Sequence, residues 1–306
     1  MPTKNEDTLL QKPTDWRAWV NDLVRYKDTT LIASILAENL ETIHQAFTFL
    51  DGDIVVASHP KSGTTWMQNI VSLLIDGADP EKLKGQALYQ RVPWLEGKED
   101  LDCDWGYQLL ENQASPRLMK THVYGPLVPP TMLQKARIVY IVRNPKDIAV
   151  SYFHMHRAYH FLPDVPWDEF ITELFLPGKL QYGPWHKHAL YWWKLSKSHS
   201  NILFIHFEDL VKDLKTQVEK IAVFLGKELT VNAIEKVVKE ASFESMKANQ
   251  AVNYSQVEAM GHEISPFIRK GTVGDWINHF SAEQNRRFEQ TFEVWMDGSD
   301  LQIDFL

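Results

Sequence analysis

A lysine, a glycine and three hydroxyl side chains share one short stretch of the sequence, His59-Pro60-Lys61-Ser62-Gly63-Thr64-Thr65-Trp66. It follows Asp53-Ile54-Val55-Val56-Ala57-Ser58, which reads as a buried strand, and it leads into a helical pattern from Thr65 to Ile75. The first turn of a helix has amides without intrahelical partners and carries the positive end of the helix dipole. A strand, a tight glycine-bearing loop and a helix start therefore aim N–H groups at an anion. Lys61 adds a mobile cation, and the hydroxyls add donors. The loop is P-loop-like, but it is not a Walker A loop. That motif has two glycines with four residues between them and the lysine directly after the second. Here Lys61 precedes the one glycine of the stretch. A Ser/Thr-rich turn that merely caps a helix is the simpler alternative, and it leaves the lysine and the preceding strand unexplained.

Further segments carry polar residues at element ends. Lys120-Thr121-His122 closes Leu118-Met119, a strand end, and a neutral imidazole there can accept a proton near neutral pH. Arg143 follows the strand pattern of residues 136–142 and offers a planar, permanently charged fork. It can also pair with Asp147. Ser151 lies within a helix predicted from Asp147 to Tyr159, so its hydroxyl can reach back toward Arg143. Residues 201–205 read as a further strand, and the apolar stripe from Glu208 to Leu225 as one helix stopped by Gly226. Residues 245–271 read as a long loop of the kind that forms lids.

Four segments, in order, resemble the cytosolic sulfotransferase family: Lys61 to Trp66, Lys120-Thr121-His122, Arg143 to Ser151, and Arg269-Lys270-Gly271-Thr272-Val273-Gly274-Asp275-Trp276. The resemblance implies sulfonyl transfer from 3′-phosphoadenosine-5′-phosphosulfate (PAPS) to a hydroxyl or amine of a small, largely apolar acceptor by in-line displacement. It implies that His122 is the general base, with Lys61 at the leaving phosphate and Lys120 at the sulfonyl oxygens. Lys61, Ser62, Gly63, Thr64, Thr65 and Trp66 would form the phosphosulfate loop. Arg143, Ser151, Arg269, Lys270 and Gly271 would hold the 3′-phosphate, and Trp66 and Phe243, with Phe207 and Ser242 beside them, the adenine. Phe207 stands where the family commonly has tyrosine, and Ala241 where threonine is usual, so two hydroxyls near the adenine are lost. Trp94, Phe153, Trp105, Tyr159 and Phe161 are the candidate walls of the acceptor pocket, with Lys120 and His122 at its reacting end. Many members pair through a carboxyl-terminal segment, Lys-x-x-x-Thr-Val-x-x-x-Glu. The matching positions here are Ile277, Ser281, Ala282 and Arg286, which predicts a monomer or a dimer through another surface.

The rest of the sequence bounds these readings. The alternation of strands and amphipathic stretches predicts an α/β fold, a single domain over residues 15–306 with a central parallel sheet flanked by helices, after a flexible segment, residues 1–14. The 306 residues carry a net charge of −8, which argues against a nucleic-acid partner. The single cysteine, Cys103, fits a reducing, cytoplasmic compartment. The amino-terminal residues lack a signal-peptide pattern, and no apolar run approaches a membrane span. His154, His156 and His160, with His186 and His188, lack the carboxylates or thiols that would complete a metal site; they are expected to face solvent or the acceptor mouth, with no metal required. The alternatives are a P-loop nucleotide kinase, a non-enzymatic binder of nucleotides or lipophilic molecules, and a Golgi carbohydrate sulfotransferase. The first lacks its Walker lysine position, the second does not explain Lys61 and His122, and the third calls for an anchor and disulfides.

Overall fold

The near-continuous apolar runs become Ile54–Ser58 (β1), Leu118–Thr121 (β2), Arg137–Val142 (β3) and Ile202–His206 (β4). They form one parallel sheet in the order β2-β1-β3-β4. The computed structural model describes residues 12–27, 29–31, 34–83, 85–98, 104–256 and 265–306. Every residue of β1 and all but the first of β3 are buried. Strands covered on both faces have no polar side to alternate with, which is why both runs read as unbroken hydrophobics. Val55, Ala57, Ile138 and Tyr140 belong to one core layer, and Ile54, Val56, Val139 and Ile141 to the other.

Helices cover both layers. They include Thr64–Ile75 (α1), Pro145–Ala158 (α2), Trp185–Ser196 (α3), Phe207–Lys212 (α4), Leu214–Phe224 (α5), Val231–Glu240 (α6), Phe243–Ala248 (α7) and Ala282–Met296 (α8). Met67, Ile70 and Leu74 of α1 pack with Val218 and Ile221 of α5 and Val237 of α6 on one face. Tyr152 of α2, Trp185 and Trp192 of α3 and Phe288 of α8 fill the other. The stripe expected as one helix from Glu208 to Leu225 is therefore two. Asp213 leaves helical geometry and accepts the Thr216 amide hydrogen bond, starting α5 anew. The segment expected as a loop from residue 245 is helical over α7, capped by Ser242. Its residues 257–264, Cys103 and residues 1–11 of the amino-terminal segment lie outside the described residues. Lys12, also expected to be loose, donates to the carbonyls of His156 (3.1 Å) and Arg157 (2.7 Å).

The chain runs from β1 out to β2, then crosses back past β1 to β3. In such sheets ligands bind where the direction reverses, at the carboxyl ends of the strands. The Lys61 loop leaves β1 there, His122 leaves β2 and Arg143 leaves β3. The carboxyl-terminal residues return to this edge. Leu301 is buried, and the Phe305 carbonyl accepts from Trp276 Nε1 (2.9 Å) and Asn144 Nδ2 (3.3 Å).

Candidate active site

A cavity of about 270 Å³ opens at this edge, and its wall includes Lys61, Gly63, Thr64 and Thr65. Lys61 (φ +69°) and Gly63 (φ +99°) both adopt left-handed backbone, which turns the chain sharply into α1. A Cβ at Gly63 would also stand 2.6 Å from the Phe207 ring, so only glycine fits. The Ser58 and Thr64 hydroxyls meet at 2.6 Å and brace the loop from beneath. Ser62 is not on the wall; its side chain is buried. Burial first, then the charges of Arg143, Arg269 and Lys120, push Lys61 down to about 8. Four cations gathered without an intervening carboxylate on the wall describe a site for a highly charged anion.

Arg143 Nη2 donates to the Thr272 carbonyl at 3.0 Å, and its guanidinium carbon lies 4.2 Å from the Phe207 ring centroid. Its Nε is buried with no hydrogen-bond partner among the described residues. The expected pairing with Asp147 is loose, at 3.9 Å. The oxygens of Asp147 are engaged elsewhere, accepting from the amides of Gly274 (2.8 Å) and Trp276 (3.0 Å). This carboxylate ties α2 to the segment carrying Arg269, Lys270 and Gly271. Arg269 (2.6 Å) and Lys270 (2.5 Å) converge on Asp275. Burial alone would raise Asp275, but Lys270 and Arg269 hold it well below the ordinary carboxylate range. Ser151 lies on the cavity wall with both.

Trp66 and Phe243 line the same cavity. Trp66 Nε1 donates to the Ala241 carbonyl at 2.7 Å, so main chain fixes the indole at the position that lacks threonine. Gly271 is pressed against Phe243, where a side chain would clash. Phe207 stands edge-on to Trp66 at 5.4 Å. Ser242 is off the wall and spends its hydroxyl on the Ser245 amide.

His122 Nδ1 lies 2.7 Å from the Ser58 carbonyl. A carbonyl can only accept, so Nδ1 carries the hydrogen and Nε2 keeps its lone pair. Burial, then the Lys120 charge, push this imidazole down to about 3, leaving it neutral near pH 7. Glu96, given no role from the sequence, accepts the His122 amide (2.7 Å) and the Thr121 hydroxyl (2.7 Å). Its only sequence signal was its place in the Arg91-to-Glu96 loop beside Trp94. Lys120 Nζ lies 5.2 Å from the Trp94 ring centroid. The His188 Nε2 hydrogen bond to the His122 carbonyl, 3.0 Å, braces the same turn from behind.

Trp94, Tyr159 and Phe161 line the cavity beyond His122, together with Tyr182 and Gln181, which the sequence did not single out. Tyr182 has left-handed backbone, and its amide donates to the Thr30 carbonyl of the hairpin Val24–Tyr26/Thr29–Leu31 (2.7 Å). Phe153 and Trp105 do not line it. Phe153 packs at 5.1 Å on Trp167 in the outer aromatic layer, because α2 turns Tyr152 and Met155 inward instead. Trp105 lies partly exposed under Lys98. The expectation of solvent-facing histidines fails for His156 and His188, both fully buried. α2 ends at Ala158, so His160 shares no helical face with His156. Among the described residues no three His, Cys, Asp or Glu side chains are placed to hold a metal ion.

Residues 51–300 match the family described as sulfotransferase domain. The chain belongs to the sulfotransferase family. It is 37% identical to sulfotransferase 1A1 of Canis lupus familiaris over 92% of this chain and 95% of the relative. It is 39% identical to cytosolic sulfotransferase 1 of Danio rerio, over 87% and 89%. Its fold is similar to that of retinol dehydratase in a complex with retinol and PAP (TM-score 0.83, 27% identity, 99% of this chain and 97% of that one). It is also similar to mouse sulfotransferase SULT7A1 complexed with PAP (TM-score 0.74, 32% identity, 91% and 95%). The enzyme is a PAPS-dependent sulfotransferase, and its site fits the donor: a loop whose Gly63 admits no Cβ, a guanidinium nitrogen with no partner among the described residues, and an aromatic pair.

Proposed function

We propose that His122 is the general base of this sulfotransferase and that the acceptor is a small, largely apolar molecule bearing a hydroxyl or amine. The observation that carries the reading is the hydrogen bond from Nδ1 to the Ser58 carbonyl, which leaves Nε2 as the proton acceptor beside an apolar wall. When bound, PAPS supplies an electrophilic sulfonyl group whose leaving oxygen belongs to its 5′-phosphate. Lys61 and the first turn of α1 stabilise charge that develops on that oxygen, and Lys120 holds the sulfonyl oxygens. Arg143, Ser151, Arg269, Lys270 and the Gly271 amide hold the 3′-phosphate. Trp66 and Phe243 flank the adenine; stacking of this kind contributes about 1–3 kcal/mol per base. Retinol and androsterone, bound by the similar retinol dehydratase, are both extended apolar alcohols, which supports an acceptor of this class. The name of the Danio rerio relative and the single cysteine support a cytoplasmic setting.

His122→Ala tests the base. We expect kcat to fall by about 10²–10⁴-fold, while the Kd of adenosine 3′,5′-bisphosphate changes less than about twofold, because the imidazole acts on the acceptor proton. Turnover retained in the variant shows that another group removes the proton.

A further inference from the structure

Gln181 is 2% exposed and stands on the wall of the cavity, one residue before Tyr182, whose ring lies 5.3 Å from that of His122. Its Oε1 accepts a 2.6 Å hydrogen bond from the Tyr152 hydroxyl. Tyr152 is itself 1% exposed on α2, and its hydroxyl also lies 3.4 Å from the Gln181 main-chain carbonyl, so a rigid neighbour holds the residue in place. The other end, Nε2, is buried with no hydrogen-bond partner among the described residues. Met155, Leu162 and Tyr159 line the same cavity. A buried amide donor left unpaired is destabilising, and a purely hydrocarbon ligand would leave it so. A ligand oxygen opposite Nε2 removes that penalty, and sites built this way reject analogues that lack the oxygen.

We propose that Gln181 is a specificity-determining residue: it selects acceptors that carry a second oxygen, a carbonyl, ether or hydroxyl, set apart from the group that is sulfonated. The inference rests on the reading of this part of the cavity as the acceptor site. Its chemistry adds no step to the reaction. The amide donates one hydrogen bond to an oxygen that neither gains nor loses a bond, and so orients the reacting hydroxyl toward His122.

Matched acceptors test it: 3- and 4-acetylphenol against 3- and 4-ethylphenol, and androsterone against its 17-deoxo counterpart. The readout is the kcat/KM ratio within each pair, compared between wild type and Gln181→Met, a side chain of similar volume without the donor. Comparing enzymes within a pair cancels the intrinsic reactivity of the acceptors. In at least one pair the wild-type ratio should exceed that of Gln181→Met by about tenfold, the effect of one hydrogen bond to a buried donor. Tyr152→Phe, which releases the amide to rotate, should lower the ratio part of the way; it carries the test if Gln181→Met does not fold. Ratios unchanged in all pairs overturn the inference while leaving the acceptor site intact. If the wild-type enzyme sulfonates none of these acceptors, the acceptor reading fails and this inference falls with it.

Discussion

Glu96 accepts both the amide of His122 and the hydroxyl of Thr121, so one carboxylate fixes the main chain of the base and the side chain before it. Burial pushes Glu96 above the ordinary carboxylate range, against the pull of these two donors. Glu96→Gln replaces one accepting oxygen with a second donor. It should lower kcat by about 10-fold or more, equivalent to about 1.4 kcal/mol in the barrier, with the Kd of adenosine 3′,5′-bisphosphate nearly unchanged; steady-state kinetics beside calorimetry separates the two. Lys61 has its own pH signature. With its pKa lowered to about 8 it is charged below that value and neutral above it. Affinity for adenosine 3′,5′-bisphosphate should therefore be flat from pH 6.5 to 7.5 and weaken as pH rises through about 8. Lys61→Arg, charged throughout, should abolish the weakening. At this scale the sequence showed Lys61, Arg143 and His122 plainly, because each follows a strand and their segments occur in order. Glu96 was invisible because its partner is an amide 26 residues away, and nothing in a glutamate's neighbours announces that. Phe153 was misplaced because composition cannot say which side of α2 faces the cavity.

Asp147 works between elements. From the first turn of α2 it accepts the amides of Gly274 and Trp276 and so holds the Arg269–Gly271 segment over the cavity edge. Asp147→Ala should loosen that segment. Each hydrogen bond to a charged group contributes about 1.5–3 kcal/mol, so the Kd of adenosine 3′,5′-bisphosphate should rise by about 10-fold or more while that of 5′-AMP changes little. Equal losses for both nucleotides would sink the assignment of this segment to the 3′-phosphate. β1 and β3 were legible because burial on both faces writes continuous apolar runs. The break at Asp213 was not, since Leu210, Leu214 and Val218 keep helical spacing across it. The capping bond from Thr216 costs the pattern nothing, so periodicity passes over it.

On the scale of the whole molecule, the surface expected to have lost the family's pairing mode is occupied by local contacts. Ile277 is 56% exposed, Ser281 caps α8 by accepting the Gln284 amide, and Arg286 pairs with Glu283 on its own helix. A two-fold contact here would bring two copies of an arginine together without the glutamate that a lysine needs. We expect light scattering at micromolar protein to give a monomer, or a dimer that Arg286→Glu leaves unchanged; a dimer that Arg286→Glu dissociates would refute this. The acceptor's identity lies beyond the sequence, because a pocket's selectivity depends on which wall residues are left with an unmet donor. The last few residues have a practical bearing on handling the protein. The Phe305 carbonyl is shared by Trp276 and by Asn144, whose own side chain caps the helix that begins next to Arg143. The domain match stops at residue 300. A recombinant chain trimmed to that boundary would strip the acceptor from both groups, so affinities measured on it would describe a nucleotide edge the full chain does not have.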